Sequence, residues 1–585
     1  MRNTLGSFRR SLTRYESTLA YALLGVVGGL ASGAVVLAFE ATIAALGELW
    51  GVRGGEAFEA LPRWLLFTLP AAGGLLLGAV FSLLPKEQRE VGILHVVSRL
   101  HHHYGVLPLR NALVQFFAGA LALASGQSGG REGPGVHLGG AVNSLLGQRL
   151  SLPNNSLRVA IACGTAGGIA AAFNTPLAGV IFAMEVIITE YTVAGFVPVM
   201  LAAVAASAVS RGLDFGFPVF SLPPVALNSL WEIPFILFVG LSCGAAGALF
   251  IRLVLLSAGS RQRPVLLRFT AAGVLTGCLA LLVPEVLGMG YDSLRRILAG
   301  ESTLALLGAL AAARLLATSV NLGFGMPVGL IGPSLIIGAC IGGLLGELGP
   351  ALQPALASDV PLYVIIGMAA TMGTVLGAPL AASLAVIELT QTTAVAMPAL
   401  LAIVAANLVN TALFRQRPVH HALLRQLERA VPEDPLGQFL HRVDVTSGMN
   451  TSAVRVPAKI SPEALRALAV QVPDWCVIHR EDEDLFLLRG EDLLAWEAGE
   501  RPPLPLAEGE DPGLLDLTSA DLRRWTITRV PEQATLRQAM DVLRRETVEA
   551  ACVYGRLPSG KRSLRGIVTR ERIERYSLSF IYSEH

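Results

Sequence analysis

Long apolar stretches separated by short polar turns run from about residue 19 to residue 413 of the 585-residue chain. They lie at about 19–46, 64–84, 110–126, 136–149, 158–189, 194–210, 232–256, 268–289, 303–322, 328–347, 362–392 and 397–413. Several are shorter than the ~20 helical residues that cross a hydrocarbon core, and many contain Gly and Pro. Broken segments are tolerated at membrane depth only where the backbone is buried in protein or lines a polar cavity. The pattern therefore predicts an all-α, polytopic membrane domain over residues 19–425, of the kind that transport proteins have.

A region with a different pattern follows at residues 431–585. More than half of the charged residues fall in 421–585, although only 15% of the whole chain is charged and 53% is hydrophobic. Two segments here, at about 445–500 and 515–580, each predict a strand–helix–strand–strand–helix order. The proline-rich stretch 500–505 predicts a linker between them. We expect a soluble α/β domain made of two similar modules.

Basic residues indicate how the membrane domain is oriented. Clusters at 2–14, 261–268 and 415–417 flank the apolar stretches, and such clusters stay on the cytoplasmic side. We therefore expect residues 1–18 to form a basic cytoplasmic helix and the C-terminal domain to be cytoplasmic as well. The first apolar stretch is too long for the core of a signal peptide, so we interpret it as a membrane span. In a bacterial cell this arrangement predicts the inner membrane.

Composition excludes several other classes of protein. The net charge of +1, without a basic stripe, gives no case for nucleic-acid binding. The six cysteines are scattered, without a CxxC or a Cys/His pair at metal-ligand spacing, so neither disulfides nor a metal site are predicted. A divalent-cation transporter would need more acidic residues than the apolar region offers. That region also contains no nucleophile–base pair, so we do not expect an enzyme.

Two pairs of similar segments indicate an internal repeat. Residues 130–147 (GREGPGVHLGGAVNSLLG) resemble 329–346 (GLIGPSLIIGACIGGLLG), and 174–185 (NTPLAGVIFAME) resemble 377–388 (GAPLAASLAVIE). In each copy a Gly-Pro helix start precedes a Pro-Leu-Ala helix that ends in Glu. The repeat predicts two inverted halves, at about 19–215 and 230–425, with a substrate site where they meet near the bilayer midplane.

One ionisable pair, Arg131–Glu132, lies within the first of these helix starts. Charges inside a membrane cost at least ~2.5 kcal/mol each, so they mark either an ion pathway or a structural ion pair. Free amide N–H groups at two converging helix starts would bind an anion without any full positive charge. We expect Glu132 to occupy this site as a tethered anion, which moves aside or becomes protonated to admit a free one.

These motifs resemble those of the CLC family of chloride channels and proton-coupled anion exchangers. The resemblance spans about residues 20–425 and rests on GREGP at 130–134, Gly-x-x-x-Pro at 329–333, Gly-x-Gly-Tyr at 288–291 and PLAG…E at 176–185. It implies a homodimer with one pore in each subunit and Glu132 as the gate. It also implies an anion site formed by Gly130, Arg131, Glu132, Gly133, Gly329, Leu330, Ile331, Val91, Gly92, Ile93 and His420.

Two of these positions depart from the family pattern. The family's first anion motif is Gly-Ser-Gly-Ile-Pro, and Val91 stands where its serine hydroxyl would contact the ion. His420 stands where the family has a pore-facing tyrosine, and it is either a titratable hydrogen-bond donor or a structural histidine. Chloride is the expected anion, and fluoride, nitrate and bicarbonate stay open. His137, one turn into the GREGP helix, is expected to be a packed or hydrogen-bonded helix histidine.

A third departure bears on coupling to protons. Exchangers of the family often have an internal glutamate one residue after the position of Glu185, and here that residue is Val186. Without a titratable group on the inner side, the resemblance implies an uncoupled or weakly coupled chloride channel. A chloride/proton antiporter remains the alternative, because some exchangers lack this glutamate.

The two C-terminal modules resemble a tandem pair of CBS modules. The nucleotide motif of that family, Gly-h-h-Thr-x-x-Asp, reads Gly566-Ile-Val-Thr569-Arg-Glu-Arg572 in the second module, and the first module lacks both Gly and Thr. Gly566 and Thr569 are therefore candidate contacts for an adenine nucleotide. The Arg at the acidic position favours instead a scaffold that stabilises a dimer or supports gating. No cofactor is expected to be required.

Overall fold

The computed structural model describes residues 18–52, 56–189, 193–213, 225–352, 358–427, 440, 443–468, 471–481, 483–498, 514–556 and 562–583. These residues divide into two compact units. The boundary falls near residue 431, and the short segment Leu152–Ser156 belongs with the C-terminal unit. Most of the expected basic helix at 1–18 and the expected linker at 500–505 lie outside the described residues.

The membrane unit is helical throughout its described part. Its first half contains α1 (Thr18–Glu48), α2 (Arg63–Leu83), α3 (Gly92–His102), α4 (Leu109–Ala124), α5 (Glu132–Arg149), α6 (Asn154–Phe173), α7 (Pro176–Phe182) and α8 (Val193–Gly212). Helix α7 continues as a π-helical segment, Ala183–Ile188. Among the described residues of the chain, seven helical stretches are long and apolar enough to cross a membrane, and six other apolar helices have only 10–17 residues in their described part.

The second half of the unit follows the same plan. It contains α9 (Ile233–Ala258), α10 (Val265–Ala280), α11 (Tyr291–Leu298), α12 (Leu304–Phe324), α13 (Ile331–Leu352), α14 (Val360–Leu376), α15 (Pro379–Thr390), α16 (Ala396–Leu408) and α17 (Val419–Gln426). The apolar stretches 158–189 and 362–392 each contain two helices, and the second helix of each begins at the Pro-Leu-Ala start that the sequence predicted. The breaks fall at Asn174 (φ 58°) and Gly377 (φ 67°), two residues before the proline that opens the next helix.

Pairs of glycines hold corresponding helices together in the two halves. A Cβ on Gly139 of α5 would lie 2.1 Å from the carbonyl oxygen of Gly164 on α6. A Cβ on Gly338 of α13 would lie 2.1 Å from the carbonyl oxygen of Gly367 on α14. Both contacts are reciprocal, so each helix pair touches backbone to backbone. Equivalent contacts at equivalent positions are what an internal repeat predicts.

Two glutamates join the halves to each other. The carboxylate of Glu185, after α7, accepts the backbone N–H groups of Leu380 (3.2 Å) and Ala381 (2.9 Å) at the start of α15. The carboxylate of Glu388, in α15, accepts those of Leu177 (3.0 Å) and Ala178 (2.8 Å) at the start of α7. Each half thus supplies the anion that caps a helix start in the other half. Such reciprocal contacts relate the two repeats by an approximate two-fold axis.

The C-terminal unit has the mixed α/β order that the sequence predicted. The first module contains α18 (Val445–Gly448), β1 (Ala453–Pro457), β2 (Lys459–Ile460), α19 (Pro462–Ala467), β3 (Trp475–Arg480), β4 (Glu483–Arg489) and α20 (Gly490–Ala498). The second contains β5 (Leu515–Asp516), β6 (Ile527–Pro531), α21 (Leu536–Glu546), β7 (Ala550–Arg556), β8 (Arg562–Thr569) and α22 (Arg570–Ser583). The sheets β1-β3-β4 and β6-β7-β8 share one topology, a parallel pair followed by an antiparallel pair.

A buried carboxylate connects the sheets of the two modules. Asp484 on β4 accepts from Arg455 (Nη2, 2.9 Å) on β1 and from Arg529 (Nε, 2.8 Å) on β6. It also accepts the hydroxyl of Tyr554 on β7 at 2.8 Å. Burial, and then the hydrogen bond to Asp484, raise the pKa of Tyr554. The contacts of this one side chain fix how the two modules pack.

Candidate functional site

The starts of α5 and α13 meet directly, as the sequence predicted. The N–H of Gly130 donates to the carbonyl of Gly329 at 2.8 Å, and the N–H of Gly329 donates to the carbonyl of Gly130 at 2.7 Å. Helix α5 begins two residues after Gly130, and α13 begins two residues after Gly329. The positive ends of both helix dipoles therefore lie at one buried place between the halves.

Glu132 lies at this meeting point and is fully buried. Its Oε2 accepts the backbone N–H of Gly332 in the first turn of α13, at 3.3 Å. A carboxylate on α5 thus occupies the amide site at the start of the opposite helix, as expected for a tethered anion. The donor is Gly332, whereas the sequence pointed to the amides of Leu330 and Ile331. Gly332 belongs to the same Gly-x-x-x-Pro motif, so that motif was the available signal.

Arg131 precedes Glu132, but its guanidinium points to other partners. Its Nε lies 3.3 Å from the carboxylate of Glu40 on α1, and Nη2 donates to the carbonyl of Ala172 at 2.9 Å. The guanidinium carbon also lies 5.4 Å from the centre of the Tyr291 ring. Sequence reasoning missed Glu40, which lies 91 residues earlier in an apolar helix. The guanidinium of Arg131 therefore has protein partners on α1 and at the end of α6.

A cavity of about 610 Å³ brings together most of the other predicted site residues. Its wall includes Val91, Gly92, Ile93, Gly133, Gly329, Leu330 and His420. Five basic residues line the same cavity, namely Lys86, Arg89, Arg261, Arg263 and Arg268. Their charge attracts anions into the cavity. Gly130, Arg131, Glu132 and Ile331 do not line it and lie at or next to the buried helix starts.

Gly92 has a partner that the sequence did not reveal. Its φ of +75° is in the left-handed region, which favours glycine at this position before α3. Its N–H donates to Oε1 of Gln115 at 2.7 Å, and Nε2 of Gln115 donates to the carbonyl of Pro327 at 3.1 Å. Gln115 on α4 therefore ties the start of α3 to the segment before Gly329. The only sequence signal was a glutamine within an apolar stretch.

The remaining predicted positions in the membrane unit are buried. His420 is in α17, 4% exposed, on the cavity wall. Val186 is 3% exposed within the π-helical segment after α7. Glu185, directly before it, is occupied with the start of α15, as described above.

The C-terminal unit has its own cavity, of about 470 Å³. Thr569 lines it together with Asp474, Trp475, Arg489 and Arg572. The Thr569 hydroxyl accepts the N–H of Arg572 at 3.3 Å, and Nε of Arg572 donates to the carbonyl of Gly448 at 2.9 Å. Gly566 pairs with Val553 within the sheet and does not line the cavity. The two candidate nucleotide contacts are therefore not brought together on one wall.

The comparisons with known proteins agree with this architecture. The family model of the voltage-gated chloride channels matches residues 73–411, which is more than half of the chain. The chain belongs to the voltage-gated chloride channel (CLC) family. Proteins of this family transport anions across membranes, so this CLC protein is a multi-pass membrane transport protein and not an enzyme.

Relatives of this CLC protein include proteins with two kinds of named activity. It is 32% identical over 394 residues to a chloride channel protein described as ClcB-like from Ralstonia nicotianae, covering 65% of this chain and 90% of the relative. It is 30% identical over 446 residues to an H⁺/Cl⁻ exchange transporter, ClcA, from Vibrio vulnificus, covering 73% of this chain and 93% of the relative.

Solved structures with the same fold include antiporters. A slow cyanobacterial Cl⁻/H⁺ antiporter matches with a TM-score of 0.62 at 22% identity, covering 70% of this chain and 97% of that one. A eukaryotic CLC transporter matches with a TM-score of 0.60 at 19% identity, and it covers 94% of this chain and 97% of its own. At these identities the likeness establishes the fold, including a C-terminal α/β region, and no more.

Proposed function

We propose that this CLC protein is a chloride channel in which Glu132 is the gate. The observation that carries the proposal is the position of the Glu132 carboxylate, fully buried on the Gly332 amide where α5 and α13 begin. A carboxylate that accepts the amide of a helix start occupies the place that a free anion would take. Protonation removes its charge and weakens its hold on the amide, so chloride enters.

The basic cavity supports this function by supplying the ion. Chloride is drawn in by Lys86, Arg89 and the three arginines at 261–268, and reaches the wall formed by Val91, Leu330 and Gly133. Val91 has no hydroxyl to offer, so backbone amides and water coordinate the ion there. Chloride is the proposed substrate, and fluoride, nitrate and bicarbonate are the competing ions to test.

Val186 supports conduction without stoichiometric proton exchange. The side chain is apolar and buried, so it carries no proton at the position where exchangers often have a glutamate. Chloride/proton antiport is the second candidate, because a channel-named and an exchanger-named relative match at nearly the same identity.

The proposal also covers the membrane in which the protein lies, its oligomeric state and the role of its C-terminal unit. We place the protein in the bacterial inner membrane as a homodimer, with the positive-inside rule putting both termini in the cytoplasm. The C-terminal unit would act as a CBS-like scaffold. Its Thr569 hydroxyl already caps α22, and Arg572 is held on a backbone carbonyl, so an adenine nucleotide is the less favoured role.

Glu132→Gln tests the gate. Glutamine has the shape of the protonated acid and carries no charge, so chloride flux through liposomes should stay at its acidic-pH level at every pH. In the unsubstituted protein, flux should rise as pH falls, by at most about tenfold per pH unit for a single proton. Glu347→Gln, an exposed glutamate of α13, is the matched control and should keep that pH dependence. If Glu132→Gln keeps it as well, Glu132 is not the gate.

A further inference from the structure

Two buried histidines form a pair that the gate mechanism does not use. Nδ1 of His95 on α3 and Nε2 of His137 on α5 share a hydrogen bond of 2.8 Å. Their ring centres lie 5.1 Å apart. His95 is 4% exposed and lines the basic cavity, whereas His137 is fully buried behind it. The pair therefore extends from the cavity wall at His95 to the fully buried His137 on α5.

The inner end of the pair lies on the gate helix. His137 follows Glu132 by five residues on α5, which is about 7.5 Å along the helix axis. Among the described residues, Nδ1 of His137 has no hydrogen-bond partner, although it is buried. A buried polar nitrogen without a partner costs roughly 1–3 kcal/mol, so its retention here needs a reason. Histidine is also the side chain that most readily exchanges a proton near neutral pH.

The helix that carries His95 packs against the segment in which a proton-carrying glutamate is missing. Helix α3 packs against α5 and also against the segment Ala183–Ile188, which contains Val186. The titratable and charged groups on the elements packed against the two histidines are Tyr21, Glu40, Glu48, Arg110, Arg158, Cys163, Glu185, Cys340, Glu347, His420, His421 and Arg425. Two of these acids, Glu40 and Glu185, are already paired with Arg131 and with the start of α15.

We propose that His95 and His137 form the route by which protons from the basic cavity reach Glu132. A proton from the cavity binds Nε2 of His95, the proton shared by the two rings passes from Nδ1 of His95 to Nε2 of His137, and Nδ1 of His137 releases its proton toward Glu132 at the start of α5. Each transfer moves one proton and no electrons, and it ends with a neutral carboxylic acid at Glu132. This proposal rests on Glu132 being the gate, and it makes the gate responsive to the pH on the cavity side.

The test must set the pH on the cavity side of the protein independently of the pH on the opposite side of the membrane. Gln262 is exposed and lines the cavity, so a bulky, membrane-impermeant thiol reagent should block Gln262→Cys molecules whose cavity faces outward. The parent protein must keep its flux with the reagent. Chloride flux through the remaining molecules is then measured while luminal pH is varied between about 5.5 and 7.5, where histidine titrates.

In this background the histidine variants give distinct results. Without a histidine substitution, flux should rise severalfold as luminal pH falls. His137→Gln, and separately His95→Gln, keep a hydrogen-bonding side chain but cannot carry the proton, and both should abolish the luminal response. Both should keep the response to external pH, which a misfolded protein would lose. His102→Gln, an exposed histidine on the same helix α3, should behave as the unsubstituted protein.

Two outcomes would contradict the proton route but leave the proposed role of Glu132 as the gate unaffected. A full luminal response in both His95→Gln and His137→Gln would show that protons take another route. Loss of the response in His420→Gln alone would place the sensor on the cavity wall. Failure of the gate itself appears separately, as pH-dependent flux in Glu132→Gln.

Discussion

At the scale of single residues, Gly332 holds the carboxylate of Glu132, the proposed gate. It donates its N–H to Glu132, and a Cβ at this position would lie 2.8 Å from the hydroxyl oxygen of Tyr291 and 3.3 Å from Oε1 of Glu132. A methyl group at this position would therefore require the side chains of Tyr291 and Glu132 to shift. Because residue 332 has only a hydrogen atom as its side chain, the Glu132 carboxylate can reach the Gly332 N–H.

Gly332→Ala should disturb the gate at this position. The new methyl group pushes Tyr291 and the carboxylate away, so we expect weaker closure and a smaller pH dependence of chloride flux. Gly308→Ala is the matched control, because the methyl group meets nothing within 4 Å and should leave flux and its pH profile unchanged. Equal pH profiles for both variants would contradict the role given to Gly332.

The sequence alone predicted those site residues whose chemistry is unusual within a membrane segment. Glu132 and the two Gly-Pro helix starts could be predicted, because a charge and broken helices at membrane depth have few explanations. Glu40, Gln115 and the His95–His137 contact could not, because each depends on a partner far along the chain. Only tertiary packing reveals which polar side chains meet.

At the scale of elements, the breaks between helices determine where the positive ends of the helix dipoles lie. Helices α7 and α15 each begin at a proline, and each receives a glutamate from the opposite half. Both the repeat and the Pro-Leu-Ala helix starts within 158–189 and 362–392 were visible in the sequence, because proline marks a helix start inside an otherwise apolar stretch. The positive φ values at Asn174 and Gly377 end one helix so that the next start can face its glutamate.

Glu388→Gln tests this connection between the halves. Glutamine keeps one acceptor oxygen but removes the charge that favours the start of α7, so the free energy of unfolding should fall by about 0.5–2 kcal/mol. Thermal unfolding in detergent measures the change, with the exposed Glu347→Gln as control. An unchanged melting temperature for Glu388→Gln would show that the contact does not stabilise the fold.

At the scale of the whole molecule, the two halves bring the Glu132 carboxylate and the Gly332 amide together at a buried place between them. The fold class could be predicted from apolar periodicity and the repeat, and the α/β order of the C-terminal unit from its strand and helix patterns. The CBS identity of that unit stays a proposal, because its nucleotide motif is degenerate. The proposed chloride conduction depends on how the halves meet, since neither half alone supplies both the Glu132 carboxylate and the Gly332 amide.

The most direct test of chloride conduction records chloride efflux and external pH together. Liposomes loaded with potassium chloride and containing the protein are diluted into low-chloride buffer, and valinomycin is then added. We predict that chloride leaves only after valinomycin provides a path for potassium, while external pH stays constant. Alkalinisation of the outer solution in fixed proportion to the chloride released would contradict a channel and establish chloride/proton exchange.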